Sequence, residues 1–184
     1  MSNEVLRAIR GRRVVREMTD EAVTQEQVEQ VLDAGRWAPT GGNLRQNRFV
    51  VVQDETIKGL IYQVAPGMFQ RPPVIILICS DMQVAREHSL GEDKSTFAMD
   101  VGKAAQNMAL AAHSLGLASG PVTSFSQTAV SRILNLPEAF VPQMFICLGH
   151  AAAAPQFNVR PWQRITWRDL TFYERFSSDA GGGQ

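Results

Sequence analysis

The longest periodic segment of this chain runs from Ser95 to Leu117, and a helix of that length organises whatever packs around it. Apolar side chains recur there every three or four residues, which is the spacing of one face of an α-helix. Gly116 stands near its carboxyl end, where a residue that tolerates positive φ can end a helix. The pattern predicts a core helix whose buried stripe consists of Phe97, Val101, Ala104, Ala105, Met108, Ala112 and Leu115.

Shorter periodic segments lie on both sides of that helix. Thr24 and Gln27 have the spacing of a capping box, which predicts a helix from Thr24 to Trp37. Asp54 is placed to cap another helix, and continuous apolar runs are typical of buried strands. By these patterns we expect further helices after Asp54 and over 126–134, and strands over 49–52, 74–79, 120–123 and 143–148.

Length and charge exclude several classes of protein. A chain of 184 residues suffices for one domain with a sizeable core. Its 18 basic residues balance 18 acidic ones, which removes the electrostatic footprint of a protein that binds nucleic acid or an anionic membrane. Cys79 and Cys147 lie in apolar runs, so we expect small core residues rather than a disulfide or a metal pair. The amino terminus shows no apolar segment of signal-peptide length, and the cytoplasm is the expected compartment.

The stretch APTGGNLRQNRF, from Ala38 to Phe49, is more polar than a plain connector requires. Pro39 fixes one backbone dihedral, and Gly41 and Gly42 allow positive φ or the close approach of a neighbour. The amide side chains of this stretch both donate and accept hydrogen bonds, so they can match a ligand that does the same. We therefore regard it as a candidate binding loop.

A basic cluster lies near the amino end, in the segment RGRRVVREM. Guanidinium groups bind phosphate bidentately and stay charged at any working pH, so three or four of them can hold a dianionic monophosphate. The sequence has no glycine-rich phosphate loop, so such a phosphate would be held by side chains. The alternative is a solvated basic helix end. The cluster consists of Arg10, Arg12, Arg13 and Arg16, and the carboxy-terminal segment adds Arg160, Arg164 and Arg168.

The carboxy-terminal segment QFNVRPWQRITWRDLTFYERF is rich in aromatic residues but follows no clean period. Side chains of this kind pack against something, either their own domain or a second copy of the chain. The last residues, 177–184, are small and polar, and we expect them to be disordered.

The sequence contains no familiar constellation of catalytic residues. Its three histidines are isolated, and neither a zinc-binding HExxH nor a GxSxG nucleophile elbow occurs. No sequence feature pairs two carboxylates for acid and base chemistry. A chain of this kind that performs chemistry is expected to take it from a cofactor, so we assign no catalytic residue and no metal.

Five segments of the chain, in this order, resemble the nitroreductase family of FMN-dependent oxidoreductases. They are RRVVR, APTGGNLRQNRFVVV, DVGKAAQNMALAAHSLGL followed by SGPVTSF, ICLGHA and RITWRDLTFYERF. The resemblance implies an α+β fold of three layers, in which helices flank a mostly antiparallel central sheet. It also implies a single FMN-binding domain over 1–176 and a homodimer with FMN at the interface. Residues 155–176, called the arm below, would be exchanged between the two copies.

The resemblance also assigns residues to the cofactor. Around the FMN phosphate and ribityl chain it places Arg12, Arg13, Val14 and Arg16, where the family usually has a serine at the position of Val14. Beside the flavin it places Pro39, Thr40, Gly41, Gly42 and Asn43. The backbone of Thr123 and Ser124 would face the redox-active side of the isoalloxazine. A late basic residue, Arg164 or as second choice Arg160, would complete the phosphate site.

The candidate loop departs from the family. Family members commonly have Asn, any residue, Gln, Pro and Trp in succession, where this chain has Asn43, Leu44, Arg45, Gln46 and Asn47. Arg45 takes the place of a glutamine, and we expect it near the pyrimidine edge of the flavin as a further cofactor contact. A guanidinium group there would stabilise the negative charge of the reduced ring.

The activity that the resemblance implies is a ping-pong oxidoreduction. NAD(P)H, as co-substrate, would deliver a hydride to FMN and leave, and an electron-poor small molecule such as a nitroaromatic compound or a quinone would then enter the same cleft. Two alternatives stay open. One is a relative with a different flavin chemistry, such as an oxidase, a dehalogenase or a flavin-destroying enzyme, and the other is a flavin-binding carrier or sensor with little turnover.

Overall fold

The computed structural model describes residues 3–88, 94–153 and 165–176. By its contacts the chain divides into two compact units, Met1–Ala154 and Pro155–Gln184. The helices of the described ranges are α1 (Glu4–Gly11), α2 (Gln25–Arg36), α3 (Glu55–Val64), α4 (Met82–Glu87), α5 (Lys94–Ser114) and α6 (Gln127–Ile133). The strands are β1 (Asn47–Val52), β2 (Val74–Asp81), β3 (Ala118–Val122) and β4 (Phe140–Gly149).

The strands form one antiparallel sheet in the order β1, β2, β4, β3. Both faces of β2 are buried along its whole length, because an apolar helical layer covers each side of the sheet. Ile76 and Ile78 pack with residues of α2 and α5 on one face. Ile75 and Leu77 pack with residues of α3 and α6 on the other. The predicted α+β architecture, with helices on both sides of an antiparallel sheet, is confirmed.

Helix α5 is the core helix expected from the sequence. Its predicted stripe is buried from Phe97 to Ala112, and Leu115 packs partly buried against the same cluster. Gly116 follows with φ of 76°, so the chain leaves the helix there as expected. Within the described ranges no helix, α5 included, is long and apolar enough to span a membrane.

Local signals elsewhere in the sequence are also confirmed. The Thr24 hydroxyl accepts from the Gln27 N–H at 3.2 Å, and the Gln27 side chain accepts from the Thr24 N–H at 3.0 Å, which completes the capping box of α2. Asp54 Oδ1 caps α3 by accepting from the Ile57 N–H at 2.9 Å. Cys79 and Cys147 are buried free thiols, and burial raises the pKa of each to about 12.

Helix α1 is absent from the sequence prediction. Asn3 caps it by accepting from the N–H groups of Val5 and Leu6 at 2.9 and 3.3 Å. None of its residues is buried, and the apolar side chains of Val5, Leu6 and Ile9 are exposed. The part of the chain that the structure describes therefore leaves an apolar face of α1 exposed, although a helix this short is only marginally stable by itself in water.

The described part of the arm, 165–176, contains a 3₁₀ turn over Trp167–Leu170. A capping box between Thr166 and Asp169 begins it, in which the Thr166 N–H donates to Asp169 Oδ2 at 2.6 Å. The aromatic side chains of this part are 43% to 77% exposed, namely Trp167, Phe172, Tyr173 and Phe176. The tail over 177–184, predicted to be disordered, lies outside the described residues.

Candidate functional site

The basic segment 12–16 runs beside the first residues of β3. Val14 forms a parallel bridge with Ser119, and the Val15 N–H donates to the Ser119 carbonyl oxygen at 3.0 Å. Because the pairing is parallel, the segment runs in the direction of β3, towards Thr123 and Ser124, which follow that strand and are exposed. The structure therefore brings the basic segment and residues 123–124 to the same edge of the sheet.

The arginines of the basic segment have different surroundings. Arg13 Nη1 donates to the carbonyl oxygens of Arg10 and Arg12 at 2.6 and 2.7 Å, and so caps the carboxyl end of α1. Arg12 Nε is buried and has no hydrogen-bond partner among the described residues. Arg16 is exposed. Within the segment, Arg12 and Arg16 are thus the guanidinium groups best placed to bind an anion.

The docking of the basic segment on β3 depends on Gly120. A Cβ atom there would lie 2.8 Å from the Val15 carbonyl oxygen and 2.5 Å from Gln70 Nε2. Gln70 is itself buried, and its Nε2 donates to that same carbonyl oxygen at 3.5 Å. The segment can lie this close to the sheet only because position 120 has no side chain.

Replacing Gly120 by alanine should displace the basic segment. Two contacts under 3 Å, one of them with backbone, would have to be relieved, so we expect the free energy of unfolding to fall by about 1 to 3 kcal/mol in urea titrations. Gly59→Ala is the matched control, since a Cβ atom on Gly59 would meet nothing within 4 Å. On α3 that change should raise stability by up to about 1 kcal/mol. A Gly120→Ala protein as stable as the wild type would contradict this packing.

The second candidate segment is the loop 39–45, which contains a 3₁₀ turn over Gly41–Asn43. Positive φ angles occur at Gly42 (59°), Asn43 (56°) and Arg45 (51°). Glycine adopts this region freely, whereas an arginine there is strained. Thr40 Oγ1 accepts from the Arg45 N–H at 2.9 Å and closes the turn. The loop is therefore a defined, strained structure, and positive φ at Gly42 is as predicted.

A buried carboxylate on α5 holds this loop. Asp100 is 0% exposed, and its Oδ2 accepts from the Gly41 N–H at 2.8 Å and from the side-chain amide of Gln46. Its Oδ1 accepts from Lys103 Nζ at 2.9 Å. Burial acts to raise the pKa of Asp100, but the hydrogen bonds from Lys103, Gly41 and Gln46 outweigh it and lower that pKa. The carboxylate's contribution to stability is complete above the ordinary pKa of aspartate and is lost as the pH falls through the lowered one.

Sequence reasoning did not identify Asp100. The sequence does contain an indication of its importance, because Asp100 lies between Phe97 and Val101 on a helix face that is otherwise apolar. A charged side chain on a buried helix face needs a partner, since an unpaired buried charge is strongly unfavourable. The sequence does not say which partners it has.

The loop departs from the family sequence at Arg45, Gln46 and Asn47, and these three side chains have different surroundings. Gln46 is 1% exposed, and its amide group faces Asp100. Asn47 opens β1, and its Nδ2 donates to the Asp100 carbonyl oxygen at 3.4 Å. Arg45 is exposed. Of these three side chains, Arg45 alone is turned to where a ligand can reach it.

The two candidate segments lie at opposite ends of α5. A Cβ atom on Gly11, next to Arg12, would lie 2.9 Å from Nε2 of His113, near the carboxyl end of the helix. A Cβ atom on Gly41 would lie 3.1 Å from Cγ2 of Thr96, near the amino end. At 1.5 Å per residue, Thr96 and His113 are about 25 Å apart along the axis. Within its described residues, one chain does not bring the basic segment and the loop into a single site.

Three further predicted cofactor contacts are Val14, Arg160 and Arg164. Arg160 and Arg164 lie outside the described residues, so their place at a phosphate stays a prediction. Val14 is exposed, and its side chain lacks the hydroxyl that a serine would offer at that position. What Val14 can still give a ligand is its backbone.

The chain resembles known proteins along most of its length. The sequence profile of the nitroreductase family matches two overlapping segments, residues 9–70 and 61–150. A protein of Methanothermobacter thermautotrophicus assigned as an NADH dehydrogenase or NAD(P)H nitroreductase is 32% identical over 159 residues, which are 83% of this chain and 80% of that protein. An NAD(P)H-dependent FMN reductase of Bacillus subtilis is 31% identical over 166 residues, which are 82% of this chain and 67% of the reductase.

Among solved structures, a protein of Desulfovibrio desulfuricans assigned as a nitroreductase, in complex with FMN, is 32% identical and superimposes with a TM-score of 0.77. The superposition covers 96% of this chain and 100% of that chain.

Proposed function

Because the chain belongs to the nitroreductase family, we propose that it passes a hydride from NAD(P)H through bound FMN to an electron-poor acceptor, such as a nitroaromatic compound or a quinone, by a ping-pong mechanism. It is an NAD(P)H-dependent oxidoreductase with FMN as its cofactor. One structural observation supports the proposal most: the buried Arg12 Nε, which has no hydrogen-bond partner in the described ranges, lies in the segment that runs beside β3 towards the exposed residues Thr123 and Ser124.

The residues at this edge of the sheet fit the phosphate end of FMN. Arg12 and Arg16 offer guanidinium groups, which suit a phosphate dianion in charge and geometry. Thr123 and Ser124 follow β3 and are exposed, so they would present backbone N–H groups to the ring, whereas the Ser124 carbonyl oxygen already accepts from the Gly67 N–H at 3.2 Å. These residues bind and orient, and none of them acts as a nucleophile.

The loop 39–45 fits the flat ring of the flavin. Gly42 and Asn43 are exposed, and the amide of Asn43 can donate and accept hydrogen bonds at the edge of a planar group. The loop contacts α5 at Thr96, and the basic segment follows Gly11, which contacts α5 at His113. Since these two positions are about 25 Å apart along a helix that rises 1.5 Å per residue, the loop and the segment would contact one FMN if two chains contribute.

We therefore propose that each complete site forms between two copies of the chain. A two-fold axis across the middle of α5 would set the loop of one copy beside the basic segment of the other. The exposed side of α5 suits a close helix contact, because Met99 is exposed there and a Cβ atom on Gly102 would meet nothing within 4 Å. The apolar face of α1, which is exposed among the described residues, would be buried in the same homodimer.

Steady-state kinetics tests the proposed reaction. The FMN-loaded protein should oxidise NADH or NADPH when a quinone or a nitroaromatic compound is supplied, and double-reciprocal plots at several acceptor concentrations should be parallel. Intersecting plots would contradict the ping-pong order. Bound FMN that neither nicotinamide reduces would favour the carrier or sensor, and rapid oxygen consumption without added acceptor would favour an oxidase.

Arg45 should tune the reduction potential of the bound flavin. Arg45 is exposed, and at the pyrimidine edge of the flavin its guanidinium group would stabilise negative charge, whereas a glutamine there would only donate a hydrogen bond. A hydrogen bond to a charged group contributes about 1.5 to 3 kcal/mol, so Arg45→Gln should lower the two-electron midpoint by about 30 to 60 mV. Arg48→Gln is the control, because Asp81 already holds that guanidinium group at 2.8 Å. Equal midpoints in the Arg45→Gln and wild-type proteins would rule out this role.

Location and other partners follow from simpler observations. The two cysteines are free and buried, which fits a reducing compartment, and the cytoplasm is the location we propose. With a net charge of zero, neither nucleic acid nor a membrane is proposed as a partner.

A further inference from the structure

We propose that Asp100 is the positioning residue of the flavin loop, the name used here for residues 39–45, and that it holds this loop in its strained shape from inside the protein. The inference rests on the proposed function, because it takes the loop to contact the flavin. Asp100 itself is fully buried and acts through the loop.

The hydrogen bonds of Asp100 close the loop at both ends. Oδ2 accepts from the Gly41 N–H at 2.8 Å at the front, and from the Gln46 side-chain amide directly behind the last residue. The residues with positive φ, Gly42, Asn43 and Arg45, all lie between these two attachment points. One carboxylate oxygen therefore fixes both sides of the span in which the backbone strain is concentrated, and the Thr40 hydroxyl, which accepts from the Arg45 N–H at 2.9 Å, closes the same turn.

The charge of Asp100 makes these attachments strong. Hydrogen bonds to an ionised acceptor are stronger than neutral ones, and a buried site excludes the water that would compete for them. The lowered pKa keeps the carboxylate ionised at neutral pH, and Lys103 compensates its charge through the other oxygen. Without such attachments an arginine would have little reason to stay at a φ of 51°.

Gln46 is the member of this arrangement that distinguishes this chain from most of the family. Family members commonly have a proline at this position, and a proline has neither an N–H nor a side-chain donor. The amide of Gln46 supplies a hydrogen bond that the usual loop sequence does not offer. The departure at 46 is thus explained by the buried carboxylate that faces it.

Trypsin tests the loop without any flavin. The exposed Arg45 is a potential cleavage site, and a loop held by Asp100 should resist the protease. We expect Asp100→Asn to be cut after Arg45 about tenfold faster or more, as followed by mass spectrometry, because the neutral side chain accepts these hydrogen bonds more weakly. Asp33→Asn is the matched control, since Asp33 is an exposed carboxylate that pairs only with Arg36 among the described residues, at 2.9 Å.

Flavin titration then tests the consequence for binding. In the proposed site the loop would contact the ring and the arginines would contact the phosphate, so Asp100→Asn should weaken FMN and riboflavin by the same factor, about tenfold or more. Asp33→Asn should bind both as the wild type does. Thermal melting of the flavin-free variants shows whether the fold itself is kept.

Each outcome decides the matter. Wild-type cleavage and wild-type flavin affinity in Asp100→Asn would overturn the inference, and so would faster cleavage with unchanged affinity. If Asp100→Asn does not fold, Gln46→Leu replaces it. This variant removes one hydrogen bond, so we expect cleavage to be about three- to tenfold faster and both flavins to bind about three- to tenfold more weakly. An unchanged Gln46→Leu protein would then overturn it. A wild-type protein that binds no flavin would instead contradict the proposed function.

Discussion

Alanine at Arg12 or at Arg16 should weaken FMN binding about ten- to a hundredfold, and riboflavin should bind almost as well as to the wild type. The buried Nε of Arg12 has no partner among the described residues, and Arg16 is exposed on the same segment. Each would give the phosphate a charge-assisted hydrogen bond worth about 1.5 to 3 kcal/mol. Riboflavin lacks the phosphate, so its affinity should not depend on these two arginines. Quenching of flavin fluorescence in parallel titrations measures both affinities.

Two other arginines serve as controls for this result. Arg7→Ala removes the same charge from α1, where Arg7 pairs with Glu4 at 3.6 Å, and should leave both affinities unchanged. Arg13→Ala should act mainly on stability, because the Arg13 guanidinium group caps α1. If the Arg12 and Arg16 variants lose riboflavin as strongly as FMN, these residues support the fold instead of the phosphate.

A chain that ends at Arg160 should lose both its dimeric state and its flavin. The arm leaves four aromatic side chains, Trp167, Phe172, Tyr173 and Phe176, largely exposed. Aromatic residues of this size can each remove about 150 to 250 Å² from water when a partner covers them. We propose that the partner copy does so, and its loss should give a monomer or an aggregate without FMN. Size-exclusion chromatography with absorbance in the visible range follows both properties.

The matched control is a chain that ends at Phe176, which keeps the described part of the arm and lacks only the tail. It should remain dimeric and yellow. A soluble, monomeric, yellow protein that ends at Arg160 would contradict both the exchange of the arm and its part in flavin binding.

The sequence predicted those parts of the fold that depend on neighbouring residues, such as helix caps and helix ends. The capping box of Thr24 and Gln27 and the φ of Gly116 act within a few residues, so a sequence pattern contains them completely. Helix α1 escaped prediction because it is short and none of its residues is buried. Val5, Leu6 and Ile9 belong to neither core cluster of the described residues, and so they do not add to the periodic pattern of a core helix.

The candidate site was predictable in its parts and not in its arrangement. Resemblance to the family assigned the basic segment and the loop, but their attachment depends on contacts between distant residues. Gly41 and Asp100, which share a hydrogen bond, are 59 residues apart in the sequence. The Val15 carbonyl oxygen can approach Gly120 closely only because residue 120 has no side chain. The placement of the two segments at opposite ends of α5 likewise follows from tertiary packing, which no local pattern contains.

Anaerobic titration of the purified protein tests the central proposal most directly. We expect a yellow protein that releases FMN on denaturation, whose visible flavin absorption is bleached by NADH or NADPH and restored by a quinone added after the nicotinamide is consumed. A protein that stays colourless when FMN is supplied, or a bound flavin that keeps its absorption with both nicotinamides, would contradict it.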